Sequence, residues 1–169
     1  ASSPFNKIRF CVFPKHYVYN LKEPAQYPFE IRENSPWSPS DFETEKLEKA
    51  PRNMFGGIDA MIENPDEVWD YTRPNPSYFE HIENTIARLG TMGIQADLIL
   101  FHPYDRWGYS RMNLEQQNFY LRYVVNRFSA YHNVWWAMAN EFDLFRWKPV
   151  SEWESNAETV CRQDPYRHL

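Results

Sequence analysis

Cysteine is scarce. Cys11 and Cys161 are the only 2 in 169 residues, too few for a disulfide framework and without metal-ligand spacing. That scarcity leans towards a reducing, cytoplasmic setting and leaves secretion open. Cys11 sits inside an apolar run and reads as core. No apolar run approaches the length of a membrane span, so no membrane partner is expected. Basic residues show no excess: 18 Lys+Arg stand against 23 Asp+Glu, a net charge of -5. With no basic stripe, nucleic acid is not an expected partner. The opening "ASSPFNKIRF" lacks a charged segment followed by an apolar one, so no export signal is expected in it. Internal repeats and low-complexity segments are missing as well.

What is plentiful is apolar and aromatic surface. The hydrophobic fraction is 43% and the aromatic fraction 18%, with Trp at 7 residues, which argues for a folded domain and against disorder. A chain of this length can bury one real core.

Along the chain, "KIRFCVF" (residues 7–13) reads as a strand bounded by Pro14. Residues 15–74 are Pro-rich and charged and read as one long connection, with a short helix around residues 42–49. Asn75 and Pro76 form a helix start, N-cap then first helical position. Phe79, Ile82, Ile86 and Leu89 line one face of that helix, and Gly93 is placed to end it. "IQADLILF" follows as a strand. After the loop "HPYDRWGYSRM", Asn113 and Gln116 have the spacing of a capping box, and Leu121, Val124, Val125 and Phe128 give the next helix its buried stripe. "VWWAMA" is the third strand. Ser151 and Glu154 suggest a second capping box, opening a helix that stops near Asp164 and Pro165.

Strands alternating with helices predict an α/β fold with a parallel sheet, its near-continuous apolar strands buried on both faces. Each strand breaks into chemistry-bearing residues at its C-terminal end: Pro14-Lys15-His16-Tyr17, His102-Pro103-Tyr104-Asp105 and Asn140-Glu141-Phe142-Asp143. In parallel α/β folds that edge is where ligands bind. Glu141 is the foremost candidate, flush with the end of a Trp-rich strand and beside an amide able to orient it. Asp143 reads equally as a group favoured near a helix N-terminus. His102, His16 and Tyr104 are candidates that could also be ordinary rim or structural residues.

"ANEFD" at a strand end resembles the Asn-Glu signature of the clan A glycoside hydrolases. "FNKIRFCVF" resembles the second strand of that clan, and "LILFHPYDRWG" its third; the phrasing is most similar to apiosidase-like and cellulase-like barrels. The resemblance covers about residues 5–169 and is weakest over residues 20–64. It implies a partial (β/α)8 TIM barrel, about the second to fourth βα units, with residues 1–169 as a fragment of one catalytic domain and residues 15–74 as a long βα-loop insertion. It further implies a retaining glycosidase acting on a poly- or oligosaccharide, with no cofactor and no metal.

Retaining hydrolysis needs a protonated and an ionised carboxyl about 5–5.5 Å apart. By the resemblance Glu141 is the general acid/base, its pKa to be raised by low-dielectric surroundings near Trp135 and Trp136. Asn140 would bind the sugar 2-hydroxyl. Arg9 would hold the nucleophile ionised; as a guanidinium in an apolar strand it needs an acidic partner, unless its head lies in water. His102 would hydrogen-bond substrate or the catalytic carboxylates. His16, Tyr104, Asp105, Trp107 and Asp143 would contact substrate, Trp107 by stacking on a sugar face. For Trp147 local packing is the preferred reading, and "WDYTRPN" (residues 69–75) could wall the cleft.

The family's nucleophile belongs to its seventh strand, so none is assigned in this chain. The first strand and strands five to eight are not represented, and the remainder of the barrel must lie in the same or another chain; alone, these residues are expected to show no turnover. Two other readings compete. One is a carbohydrate-binding half-barrel without catalysis. The other is a metal-dependent TIM-barrel enzyme with His16, His102, Asp105 and Glu141 as ligands.

Overall fold

The computed structural model describes residues 4–17, 22–39 and 62–168. Three strands run parallel in one sheet: β1 (Lys7–Cys11), β4 (Gln95–Phe101) and β5 (Val134–Ala139), in the order β1-β4-β5. The strands between them, β2 (Phe29–Ile31) and β3 (Trp69–Pro74), pair antiparallel in a separate two-stranded sheet. A single helical turn, α1 (Pro65–Val68), leads into β3. The long helices are α2 (Pro76–Thr91), α3 (Leu114–Phe128) and α4 (Val150–Gln163).

The residues 15–74 are thus not one irregular connection. They contain the β2–β3 pair, hidden from periodicity because β2 is 3 residues long and Pro74 ends β3. Trp69 and Tyr71 of β3 are buried in the core rather than walling a cleft. The helix expected near residues 42–49 lies outside the described residues.

Helix starts follow local chemistry in two cases of three. The Asn75 side chain accepts from the Ser77 N–H ahead of Pro76. Asn113 and Gln116 form a reciprocal capping box, each side chain accepting from the other's backbone N–H. The box expected at Ser151 and Glu154 does not form. Pro149 is the N-cap there, so α4 begins at Val150 and places Ser151 within the first turn.

Phe79, Ile82, Ile86 and Leu89 are the buried residues of α2, and Leu121, Val124, Val125 and Phe128 are buried on α3 with Tyr120 and Gln117. The contact between α3 and α4 is unusually polar. The Gln117 side-chain oxygen Oε1 accepts from Lys148 Nζ (2.6 Å) and Asn156 Nδ2 (2.8 Å), and Thr159 donates to Asn118 (2.8 Å). Two tyrosines fasten the helices to the strand ends. Tyr78 donates to the Val12 carbonyl at 2.6 Å and Tyr120 to the Leu100 carbonyl at 2.9 Å. Asn133 Nδ2 donates to the Ile86 and Ile94 carbonyls, at 3.0 and 3.1 Å, tying the end of α2 to the start of β5.

Only β4 is buried along nearly its whole length; β1 is mostly exposed and β5 half-buried. Among the described residues β1 and β5 each have one neighbour, so burial on both faces holds for the middle strand alone.

Gly108 sits at φ 85°, and a Cβ there would run into the ring of Pro65. Gly108→Ala is expected to destabilise the fold by about 1–3 kcal/mol, from backbone strain plus the clash. Urea unfolding of the variant beside wild type checks this; an unchanged midpoint would mean that loop and α1 separate freely.

Candidate active site

The register of the sheet sets the level of the three strand ends. Val12 N–H donates to the Ile99 carbonyl and Asn140 N–H to the Phe101 carbonyl, at 2.9 and 3.0 Å, so residues 13, 101 and 140 finish close to one line. On or past that line the chain carries His16, His102, Tyr104, Asp105, Asn140 and Glu141.

Glu141 adopts a left-handed backbone, φ 48° and ψ 54°, and opens the 3-10 turn Phe142–Leu144. A non-glycine residue in that region is strained by about 1–3 kcal/mol, a feature concentrated at functional sites. The turn is closed by Leu144 N–H donating to the Glu141 carbonyl at 3.0 Å. Glu141 is exposed among the described residues, so these do not provide the low-dielectric surroundings expected from Trp135 and Trp136. Those residues lie five and six positions back, about 16–20 Å along an extended strand. Trp136 instead donates its indole N–H to Asp164 at 3.0 Å.

Asn140 is oriented. Its Nδ2 donates to the Tyr104 hydroxyl at 2.8 Å and reaches Glu141 Oε2 at 3.5 Å. Tyr104 stacks on His102, ring centroids 5.7 Å apart at 14°, and Lys15 Nζ stands 4.4 Å from the Tyr104 ring centre. A cluster of Lys15, Tyr104, His102 and Asn140 therefore lies next to Glu141.

His102 is committed to the backbone. The Tyr104 N–H donates to Nδ1 (3.2 Å), so Nδ1 carries no proton; the neutral ring then holds its proton on Nε2, 3.2 Å from the Phe13 carbonyl. Burial lowers its pKa below 6.5, opposed by the charge of Asp105 and the bond to Phe13. With both nitrogens engaged, the ring pins the ends of β1 and β4 together and has no nitrogen left for substrate.

Two other buried polar residues, Arg106 and His16, belong to a second network. Arg106 is fully buried; its Nη2 pairs with Glu23 Oε1, and its Nη1 donates to His16 Nε2 at 3.1 Å, so the neutral His16 is protonated at Nδ1. Glu23 Oε2 also accepts from Tyr27 (2.6 Å) and from the Trp107 indole (2.9 Å). Trp107 is 1% exposed and edge-on to His16, so it offers no face to a sugar. Asp105 accepts from the Tyr109 and Ser110 N–H groups, both at 2.9 Å, and shapes its own loop. Asp143 is exposed beside Glu141, and Trp147 is exposed too, against the packing role preferred from sequence. Glu23 and Arg106 were not singled out in the sequence, where neither sits in a periodic pattern.

Arg9 stands apart. It lies four residues before Phe13, about 13 Å below the strand ends. Its Nε donates to Asp97 Oδ2 at 2.9 Å, while its side chain remains 59% exposed. Asp97, opposite it on β4, is the acidic partner the sequence calls for, and the guanidinium head still reaches water. Among the described residues no group of three or more His, Cys, Asp or Glu could hold a metal ion. His16, His102 and Asp105 are each tied to protein partners instead.

The family described as "Apiosidase-like, catalytic domain" matches residues 40–169, and the chain belongs to it. The crystal structure of a "putative glycoside hydrolase" from Bacteroides vulgatus ATCC 8482 superimposes with a TM-score of 0.74 at 42% identity, over 98% of this chain. The chain spans 28% of that protein's length. No curated protein matches.

Glu23→Ala takes a carboxylate away from the buried Arg106 guanidinium and is expected to cost about 3–5 kcal/mol, while Glu23→Gln with Arg106→Met should cost less than those two singles summed. A double-mutant cycle by urea denaturation measures this, and strict additivity would refute the coupling. For His102, the folded pKa is depressed, so below pH 6.5 the unfolded chain binds a proton that the folded chain refuses. Stability should therefore fall as pH drops from 6.5, by about 1.4 kcal/mol per unit. His102→Asn should flatten that slope; an unchanged slope would assign it to other groups.

Proposed function

We propose that this chain carries the general acid/base of a retaining clan A glycoside hydrolase, cleaving O-glycosidic bonds of a poly- or oligosaccharide. In this reading β1, β4 and β5 are the second, third and fourth strands of a (β/α)8 barrel, and residues 15–74 are an insertion in one catalytic domain. The observation that carries it is the placement of Glu141: exposed, beside an oriented amide, at the C-terminal end of a parallel strand. Family membership supports the glycosidase class. The single neighbour of β1 and of β5 leaves each with an edge on which further strands could pair.

Chemically, Glu141 would donate its proton to the leaving-group oxygen while a carboxylate elsewhere in the enzyme attacks the anomeric carbon. Glu141 would then take a proton from the water that releases the glycosyl intermediate. This chain is assigned no nucleophile. Asn140 would meet the 2-hydroxyl of the sugar under attack, its amide orientation set by Tyr104. Asp143 stands beside the acid at the rim. His102, His16, Asp105 and Trp107 would act by holding the strand ends and loops that present Asn140 and Glu141, and Arg9 by its charge below them.

Glu141→Ala in the complete enzyme should lower kcat/KM on natural glycosides by about 10²–10⁴-fold. Aryl glycosides with good leaving groups, which need little proton donation, should suffer far less in the glycosylation step. Equal losses on both kinds of substrate would remove Glu141 from the acid/base role.

A further inference from the structure

The Asn140 side chain carries a donor, Nδ2, and an acceptor, Oδ1, and its neighbours decide which way each faces. Nδ2 lies 2.8 Å from the Tyr104 hydroxyl and 3.5 Å from Glu141 Oε2. The hydroxyl alone would settle nothing, because it can donate or accept. The carboxylate breaks the tie. An ionised carboxylate only accepts, so Oδ1 in that place would set two acceptors against each other. With Glu141 protonated on Oε1, Oε2 still accepts, and the amide keeps its direction in both states. Nδ2 is therefore directed at protein groups, and no hydrogen bond reaches Oδ1 from the described residues.

Tyr104 is held firmly enough to keep that direction. It is buried, its N–H donates to His102 Nδ1 (3.2 Å), and its carbonyl accepts from the His16 N–H (3.0 Å). Its ring stacks on His102, and Lys15 Nζ stands 4.4 Å from its centre. Asn140 is anchored by its own N–H, which donates to the Phe101 carbonyl. Neither backbone can shift without breaking bonds of the strand ends. The resulting polarity has a chemical use. As a glycosidic bond breaks, positive charge grows at the anomeric carbon and makes the neighbouring 2-hydroxyl a stronger donor. A carbonyl oxygen held against that hydroxyl gains strength in the transition state, where an N–H donated to it would lose strength.

We propose that Tyr104 is a positioning residue that turns the Asn140 carbonyl oxygen towards the substrate, so that the enzyme selects a sugar whose 2-hydroxyl donates a hydrogen bond. The proposal rests on the reading that Asn140 meets that hydroxyl. A sugar with only an acceptor there, such as a 2-fluoro or 2-O-alkyl glycoside, sets its lone pairs against Oδ1 and is disfavoured. A 2-deoxy sugar merely forgoes the bond.

Neutron diffraction from deuterium-exchanged crystals of the complete protein reads the amide directly, with or without a known substrate. Two deuterons should lie on the atom facing Tyr104 and none on the other. Kinetics read the consequence, on 2,4-dinitrophenyl glycosides of glucose, galactose, xylose and arabinose, each beside its 2-deoxy counterpart. These leaving groups need little proton donation, so the outcome does not hang on Glu141 as the acid. Asn140→Ala should lower kcat about 10²-fold on the 2-hydroxy glycosides, and Tyr104→Phe about tenfold, with KM little changed. The 2-deoxy glycosides should be insensitive to both. Tyr104→Phe should cost nothing further in the Asn140→Ala background. Asn140→Asp, which keeps an acceptor, should retain more activity than Asn140→Ala, each measured on the plateau of its own pH profile. Melting temperatures identify any variant that is merely unfolded, and a packing role alone would not distinguish 2-hydroxy from 2-deoxy substrates. A reversed amide, additive losses, or Asn140→Asp no better than Asn140→Ala overturns the proposal and leaves Asn140 at the 2-hydroxyl. Equal losses on 2-hydroxy and 2-deoxy glycosides remove Asn140 from the 2-hydroxyl as well, so the two failures are distinguishable.

Discussion

Parallel strands must all end on the same side, and in this chain one register decides what meets there. The bond from Asn140 N–H to the Phe101 carbonyl and that from Val12 N–H to the Ile99 carbonyl hold three chain breaks level. Had β5 slipped by one residue against β4, Glu141 would turn to the opposite face and Asn140 would lose Tyr104. Side-chain hydrogen bonds reinforce that register where it matters. Tyr78 and Tyr120 close on the carbonyls of Val12 and Leu100, and the His102 ring bridges the ends of β1 and β4. These groups hold the edge from behind, so the side chains in front of it can be exposed without loosening it.

The rim is built by two polar networks with different tasks. The Lys15–Tyr104–His102–Asn140 cluster lies next to Glu141 and sets the direction of one amide. The Glu23–Arg106–His16 network is deeper and binds the segment after β1 to the loop after β4. A buried guanidinium is a poor source of stability compared with apolar packing, but it is intolerant of displacement, because moving it leaves a charge without its partner. Its value here is positional: the two loops sit where Arg106 can satisfy both Glu23 and His16.

Helices and strands were legible because their signals are local. The faces of α2 and α3, the caps at Asn75 and Asn113 and the parallel order all follow from spacing that a chain cannot easily disobey. The capping box at Ser151 failed for an equally local reason: Pro149 starts the helix ahead of it. The rim was harder to read. Whether a loop tryptophan points in or out depends on partners distant in sequence, and Trp107 is drawn inward by Glu23, 84 residues away. Arg9 raised the right question, since a charge in an apolar strand needs an acid, but Asp97 became visible as that acid only once the register placed it opposite.

Polar partners decide which loop aromatics near the rim are buried. Trp107 has an indole N–H that would be costly to bury unpaired, and Glu23 accepts it, so its ring can contribute apolar area to the core. Trp147 has only a long contact to the Ser110 carbonyl, and Phe142 has no polar handle to satisfy. Burying Phe142 would be favourable by roughly 1.5–3 kcal/mol, yet it stands 61% exposed directly after the left-handed residue Glu141. A backbone that is strained at Glu141 and then exposes an apolar ring forgoes stability twice within two residues. Phe142 keeps an edge contact with Trp153, ring centroids 6.4 Å apart, which offsets part of that loss.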